Sequence, residues 1–211
     1  MGSFEYGRLR ENVLSASVVL PGGERREVSG EEVESFLATG ITGGIVVGAR
    51  LRTRQADADT PFAATFEDAA DLTGAVTDLF GKSVPLWHLA VLTPAMARAR
   101  NLGTSHLMFG AYPRERTAEV EHRLRSVVES NRGRLLPAVD AHRAWGERHF
   151  PIRPSTFQPG FPGLSRGFSS LAELPQKLEQ VDNGATSVAL QGTIARSGEI
   201  LLLTLDAREM V

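Results

Sequence analysis

The sequence predicts an α+β chain in which an antiparallel sheet is backed by helices on one face. Three observations carry that expectation. From Glu67 onward, strand-like and helix-like segments alternate. The chain closes on two apolar runs separated by a glycine-containing turn. The part before Thr53 is rich in strand formers and is set off by a polar stretch.

Val13–Leu20 is rich in valine and leucine and runs into Pro21-Gly22-Gly23, which reads as a strand ending at a turn. Arg25–Val28 is its expected hairpin partner. Glu31–Leu37 carries glutamates in its first turn, where they suit the positive end of a helix dipole. Gly44–Thr53 begins with β-branched residues and is read as a strand. Thr53–Thr65 is polar, rich in Asp and Ala and contains Pro61, and is read as a linker.

After it, Glu67–Phe80 places Ala70, Leu72, Ala75, Val76, Leu79 and Phe80 on a helical period. Val84–Leu92 is expected as a strand, Ala95–Arg100 as a short helix and Thr104–Tyr112 as a second strand. Thr117–Ser130 aligns Val120, Leu124, Val127 and Val128 on one helical face, with Gly133 just past its end. Asp140–His149 and Leu174–Val181 are further helices, and Pro175 is tolerated there only as a first residue. Pro151–Gly167 is dense in proline and glycine and is expected as a long ordered loop. Thr186–Ala195 and Glu199–Leu205 form a hairpin over Arg196-Ser197-Gly198. This order suggests a ferredoxin-like sheet over residues 66–211, preceded by a separate unit over 1–54.

The bulk chemistry excludes several function classes. Among 211 residues the net charge is −2, which supplies no basic field for nucleic acid. Cysteine is absent, so disulfides, thiolate metal sites and cysteine nucleophiles are excluded. No apolar run approaches membrane-spanning length and Met1–Arg10 has no signal-peptide character, so a soluble cytoplasmic protein is expected.

Two glycine-bearing stretches stand out. The first is Gly2-Ser3-Phe4-Glu5-Tyr6-Gly7, continuing through Asn12-Val13-Leu14 to Val18-Val19-Leu20-Pro21-Gly22-Gly23-Glu24. The second is Thr42-Gly43-Gly44-Ile45-Val46-Val47-Gly48-Ala49-Arg50-Leu51-Arg52. Together they resemble the middle and the closing segment of the FAD-binding domain of vanillyl-alcohol-oxidase-type flavoproteins. The nearest branch is that of the glycolate oxidase and D-lactate dehydrogenase type of FAD-linked oxidase. Ile41 stands where that family usually carries glycine. The resemblance implies that residues 1–54 are the second half of an FAD-binding domain. It also implies that Gly2, Ser3, Tyr6, Gly7, Gly44, Ile45 and Val46 contact FAD. Glycine at such positions lets backbone N–H groups approach a ligand closely. The alternative is that these glycines only make turns between strands.

A third stretch, Ala144-Trp145-Gly146-Glu147-Arg148-His149-Phe150-Pro151-Ile152-Arg153, resembles a run in the substrate domain of the same oxidases. It implies that Arg148 and Arg153 grip the carboxylate of a small 2-hydroxy acid such as glycolate or lactate. A planar guanidinium does this bidentately. His149 is a candidate for the base that accepts the hydroxyl proton while hydride passes to FAD. Alternatively, Arg148 pairs with a surface carboxylate and Arg153 is solvated.

The resemblance also sets out what is missing. The family's preceding glycine-rich subdomain, which supplies most pyrophosphate contacts, is expected to be absent, and so is its later histidine-rich metal motif. His142 and His149 are seven apart but lack a third ligand in the sequence, so no metal is expected. His88 and His106 read as half-buried sheet residues. Arg123, Arg125, Arg132 and Arg134 are interleaved with Glu119, Glu121 and Glu129, the pattern of a solvated helix face. A rival to the oxidoreductase reading is a non-catalytic remnant or subunit. It would associate with itself or with a partner chain that supplies the missing FAD subdomain.

Overall fold

The computed structural model describes Phe4, Gly7 and residues 9–39, 43–53, 58–148, 165–182 and 188–206. The chain divides into two compact units, Tyr6–Ala56 and Asp57–Val211, with Gly2–Glu5 belonging to the second.

The first unit opens with a 3₁₀ turn (Leu9–Asn12). It continues through β1 (Val13–Val19), β2 (Arg25–Ser29), α1 (Glu31–Thr39) and β3 (Ile45–Leu51). The sheet order is β2-β1-β3, antiparallel throughout. The β1–β2 turn closes with Gly23 N–H donating to Leu20 O, and Gly23 takes φ +84°, a conformation glycine adopts freely. Ala16, Val18, Val28 and Val33 form the small core under α1.

The second unit carries β4 (Asp59–Phe66), α2 (Ala69–Gly81), β5 (His88–Leu92), α3 (Pro94–Ala99), β6 (His106–Pro113) and α4 (Thr117–Ser130). It then runs through β7 (Arg134–Leu135), α5 (Ala138–Gly146), β8 (Ser165–Ser170), α6 (Leu174–Asp182), β9 (Val188–Ile194) and β10 (Glu199–Asp206). The seven strands lie in the order β7-β4-β6-β5-β9-β10-β8, and every recorded pair is antiparallel. The first four positions are the ferredoxin-like arrangement the alternating pattern predicts. Strands β9, β10 and β8 extend the same sheet through the β5–β9 pairing.

Alternation along the strands sends side chains to two cores. Phe62, Ala64, Phe66, Leu89, Val91 and Met108 pack with α2, α4 and α6. Ala63, Ala90, Leu92, Leu107 and Phe109 pack with α3 and α5. Helices backing one face therefore describes α2, α4 and α6, while the opposite face is also covered. The physical reason lies in β5 and β6. Their sequences, HLAVL and HLMFGAYP, are apolar on both sides of the pleat, and all their residues are buried.

Two further expectations are corrected. Thr53–Thr65 is not linker throughout, because Asp59–Phe66 forms β4, which pairs with β6 along its full length. Pro61 is tolerated because β7 reaches only Ala64 and Thr65, so β4 has no second neighbour at Pro61 to receive an N–H. The left-handed residue after α4 is Arg132 (φ +54°) rather than Gly133. Gly133 serves close packing instead, since a Cβ there would lie 2.4 Å from the Phe66 ring. Arg132 is held by a bidentate pair with Asp71, and Asp68 caps α2 by accepting from the Asp71 N–H at 2.8 Å. Most of the proline-rich stretch, 151–164, lies outside the described residues, and Ser165–Gly167 belong to β8. No helix among the described residues is long and apolar enough to cross a membrane.

Candidate functional site

On the face of the second unit that carries α3 and α5, a polar cluster sits in an otherwise apolar layer. Its anchor is Gln191, the one amide side chain in the β9 sequence VALQGTI and only 3% exposed. A buried amide must place both its donor and its acceptor. The Gln191 Oε1 accepts from Arg100 Nη1 at 3.1 Å, and its Nε2 donates to the Arg148 carbonyl at 3.3 Å.

Arg100 follows the end of α3 and is buried. Its Nη2 donates to the Ala144 carbonyl at 2.9 Å, and its guanidinium lies 5.0 Å from the Phe109 ring centroid. A buried cation needs such contacts, because desolvation costs several kcal/mol (roughly) before they are made. Arg100 and Gln191 thus fasten the last turn of α5, and the residue just beyond it, to the sheet.

That residue is Arg148. Helix α5 starts after Pro137, which presets the entry angle, and ends at Gly146. The Arg148 side chain turns back over the helix end, with Nη1 donating to the Trp145 carbonyl at 2.9 Å and the guanidinium 4.2 Å from the Trp145 ring centroid. Its Nε is buried and has no hydrogen-bond partner among the described residues. The indole in turn meets His88 edge-on at 5.4 Å, and His88 lies 6.0 Å from Phe109. The result is a stacked cation whose planar fork retains an unused buried donor.

In the first unit, Gly7 adopts φ +74° and Gly44 φ +135°. A Cβ on Gly44 would lie 2.5 Å from the Val19 carbonyl oxygen, so close strand packing alone already requires glycine there. Ile45 and Val46 open β3 and are exposed, Ile45 to 67%. Apolar side chains on an open strand fit contact with a flat aromatic group such as a flavin ring.

Of the residues singled out from the sequence, Gly7, Gly44, Ile45, Val46 and Arg148 are therefore placed. Gly2, Ser3, Tyr6, His149 and Arg153 lie outside the described residues. Phe4, within the first motif, belongs to the second unit. Its N–H donates to the Trp87 carbonyl and its ring meets Phe80 edge-on at 6.0 Å. The sequence reading missed Arg100 and Gln191. The available signal was a glutamine in a strand otherwise suited to burial. His88 and His106 are buried rather than half-buried.

The fold of the chain is shared with enzymes of known structure. It is similar to an alkyldihydroxyacetonephosphate synthase, with 14% identity and a TM-score of 0.63 over 98% of this chain and 49% of that one. It is also similar to the 4-ethylphenol oxidase from Gulosibacter chungangensis in complex with isoeugenol, with 14% identity and a TM-score of 0.69 over 98% of this chain and 54% of that one. A chitooligosaccharide oxidase matches with 18% identity and a TM-score of 0.57, over 97% and 51% of the two chains. The chain spans about half the length of these structures. No family model matches the sequence, and no curated protein matches it. At such identities the likeness establishes the fold, which is the one the sequence resemblance to FAD-linked oxidases implies.

Proposed function

We propose that the chain forms the second half of an FAD-binding domain and the substrate domain of an FAD-dependent oxidoreductase. Its substrate is a small 2-hydroxy acid of the glycolate or lactate type. The observation that carries the substrate reading is Arg148, a stacked guanidinium with a buried Nε donor that has no acceptor among the described residues. A carboxylate supplies that acceptor and makes a charge-assisted hydrogen bond. Gln191 holds the Arg148 backbone carbonyl, and the Trp145 carbonyl and ring hold the guanidinium, so little side-chain entropy remains to be lost on binding. Arg153 is the second carboxylate ligand and His149 the base that takes the hydroxyl proton. Bound FAD would supply the acceptor for the hydride on the α-carbon. Gly2, Ser3, Tyr6, Gly7, Gly44, Ile45 and Val46 are its contacts on this chain.

Titration of the purified chain with FAD tests the cofactor reading. A bound-flavin absorbance band is expected, and a protein that stays colourless after gel filtration overturns it. Replacing Arg148 by Ala should lower kcat/KM for the hydroxy acid by roughly 10- to 100-fold, the worth of one hydrogen bond to a charged group. Lys at the same position should recover only part of the loss, because it lacks the fork.

A second reading, association with another chain, is favoured by β3. All seven of its residues are exposed, Ile45, Val46, Val47 and Leu51 among them, and among the described residues it pairs with β1 alone. An open apolar strand edge invites a partner strand. Light scattering over a range of concentrations distinguishes this reading, and a strict monomer counts against it.

A further inference from the structure

A cavity of about 540 Å³ opens in the second unit between α5 and the turn that joins α3 to β6. That size lies within the range of small-molecule sites. The wall formed by the turn is held in place. Asn101 (φ +55°) and Gly103 (φ +108°) bend it, the Leu102 N–H donates to the Ala97 carbonyl at 2.9 Å, and the Leu102 side chain packs on the core. The lining is charged and hydroxylated rather than apolar, with Arg134, Arg143, Glu67, Thr104 and Ser105 contributing.

The charges are unevenly committed. Arg132, also at the cavity, is taken up by Asp71 and by Asp68 at 4.0 Å. Arg143 forms a loose, exposed ion pair with Asp140 at 3.6 Å, beyond hydrogen-bond length, so its donors can still be taken by a ligand. Arg134 and Glu67 make no side-chain hydrogen bond or ion pair among the described residues. The guanidinium groups of Arg134 and Arg143, the hydroxyls of Thr65, Thr104 and Ser105, and the carboxylates of Glu67 and Asp140, the last beside Arg143, thus line a space large enough for a metabolite.

We infer that this cavity is a binding site for a small molecule that joins an oxyanion to a hydroxyl. The oxyanion, phosphate or carboxylate, lies on Arg134 and Arg143, where fork geometry favours planar and tetrahedral oxyanions alike. The hydroxyl donates to Glu67, which otherwise repels a bare anion. The site is built within the second unit and requires no flavin.

Calorimetric titration of the full chain without FAD tests the inference. The probes are glycerol 3-phosphate, malate and inorganic phosphate, with chloride at matched ionic strength as the control. Saturable heat beyond chloride is expected for glycerol 3-phosphate or malate, and the tighter of the two identifies the oxyanion. R134Q and R143Q should each weaken that ligand by roughly tenfold, the weight of one charge-assisted contact. E67Q should weaken it severalfold while leaving inorganic phosphate no weaker. The three side chains are exposed, so the variants should melt with the parent. Heats indistinguishable from chloride, full affinity in both arginine variants, or no effect of E67Q on the hydroxylated ligand each overturn the assignment.

Discussion

Strands β3 and β6 read alike and end differently. IVVGARL in β3 is exposed at every position, whereas HLMFGAYP in β6 is buried at every position. Composition does not separate them; neighbours do. β6 lies between β4 and β5 and has helices over both faces, while β3 has β1 on one edge and, among the described residues, no strand on the other. An apolar strand stabilises a fold only when something removes it from water, at about 25 cal/mol per Å². In β6 that energy is spent within the unit. In β3 it remains available for another surface, whether cofactor or chain.

Substitutions can break this comparison, beginning with the largest effect. Phe109 in β6 is fully buried, and F109A should cost about 3–5 kcal/mol, read as a shift in the urea midpoint. A loss below 1 kcal/mol (roughly, the scale of surface changes) would mean that β6 is less well packed than described. Next come the glycines of the two strands. A Cβ on Gly110 would lie 2.1 Å from the His88 carbonyl, and one on Gly48 no nearer than 3.7 Å to any neighbouring atom. G110A should therefore destabilise by about 1–3 kcal/mol through overpacking, while G48A should be neutral. Equal effects at the two positions would remove the contrast between the strands.

The last residues of β6 add a pH effect. Burial, helped by the charge of Glu121 and a hydrogen bond to it, raises the Tyr112 pKa from 10.0 to about 12. The unfolded chain ionises at the ordinary value, so the stabilising share of Tyr112 is complete below about pH 10. It declines as pH rises from 10 to about 12. A spectrophotometric titration should show the Tyr112 phenolate appearing late, and E121Q should bring it earlier. At the small end, V47A on β3 should change stability by no more than about 0.5 kcal/mol. V47D should reduce self-association without lowering the melting temperature. A large loss of stability in V47A would show that β3 is covered after all.

The sequence was legible where local pattern and tertiary partner agree. Thr117–Ser130 was read to its bounds because Val120, Leu124, Val127 and Val128 face one core. The hairpin over Arg196-Ser197-Gly198 was read because Gly198 supplies the positive φ its turn needs. β4 was misread because Pro61 and its polar approach signal a linker, and only the shortness of β7 makes that proline acceptable. Arg148 is singled out by its neighbours in sequence, from Trp145 onward. Arg100 and Gln191, which hold it, come from distant segments and share no local pattern, so their meeting is visible only once β9 lies beside β5.

That pairing has a consequence of its own. The connection β4-α2-β5-β6 with order β4-β6-β5 recurs as β8-α6-β9-β10 with order β8-β10-β9, and the sheet joins the halves where β5 runs against β9. The second unit is thus two similar modules zipped along one seam. His88 sits on one side of that seam and Gln191 on the other. Each module can close its own hairpin early from nearby chain, but the seam brings together strands about a hundred residues apart and carries the larger entropic cost of closure. Amide exchange along Ala90–Leu92 and Gln191–Thr193 should therefore report whether the Arg148 cluster is assembled, even while both modules keep their helices.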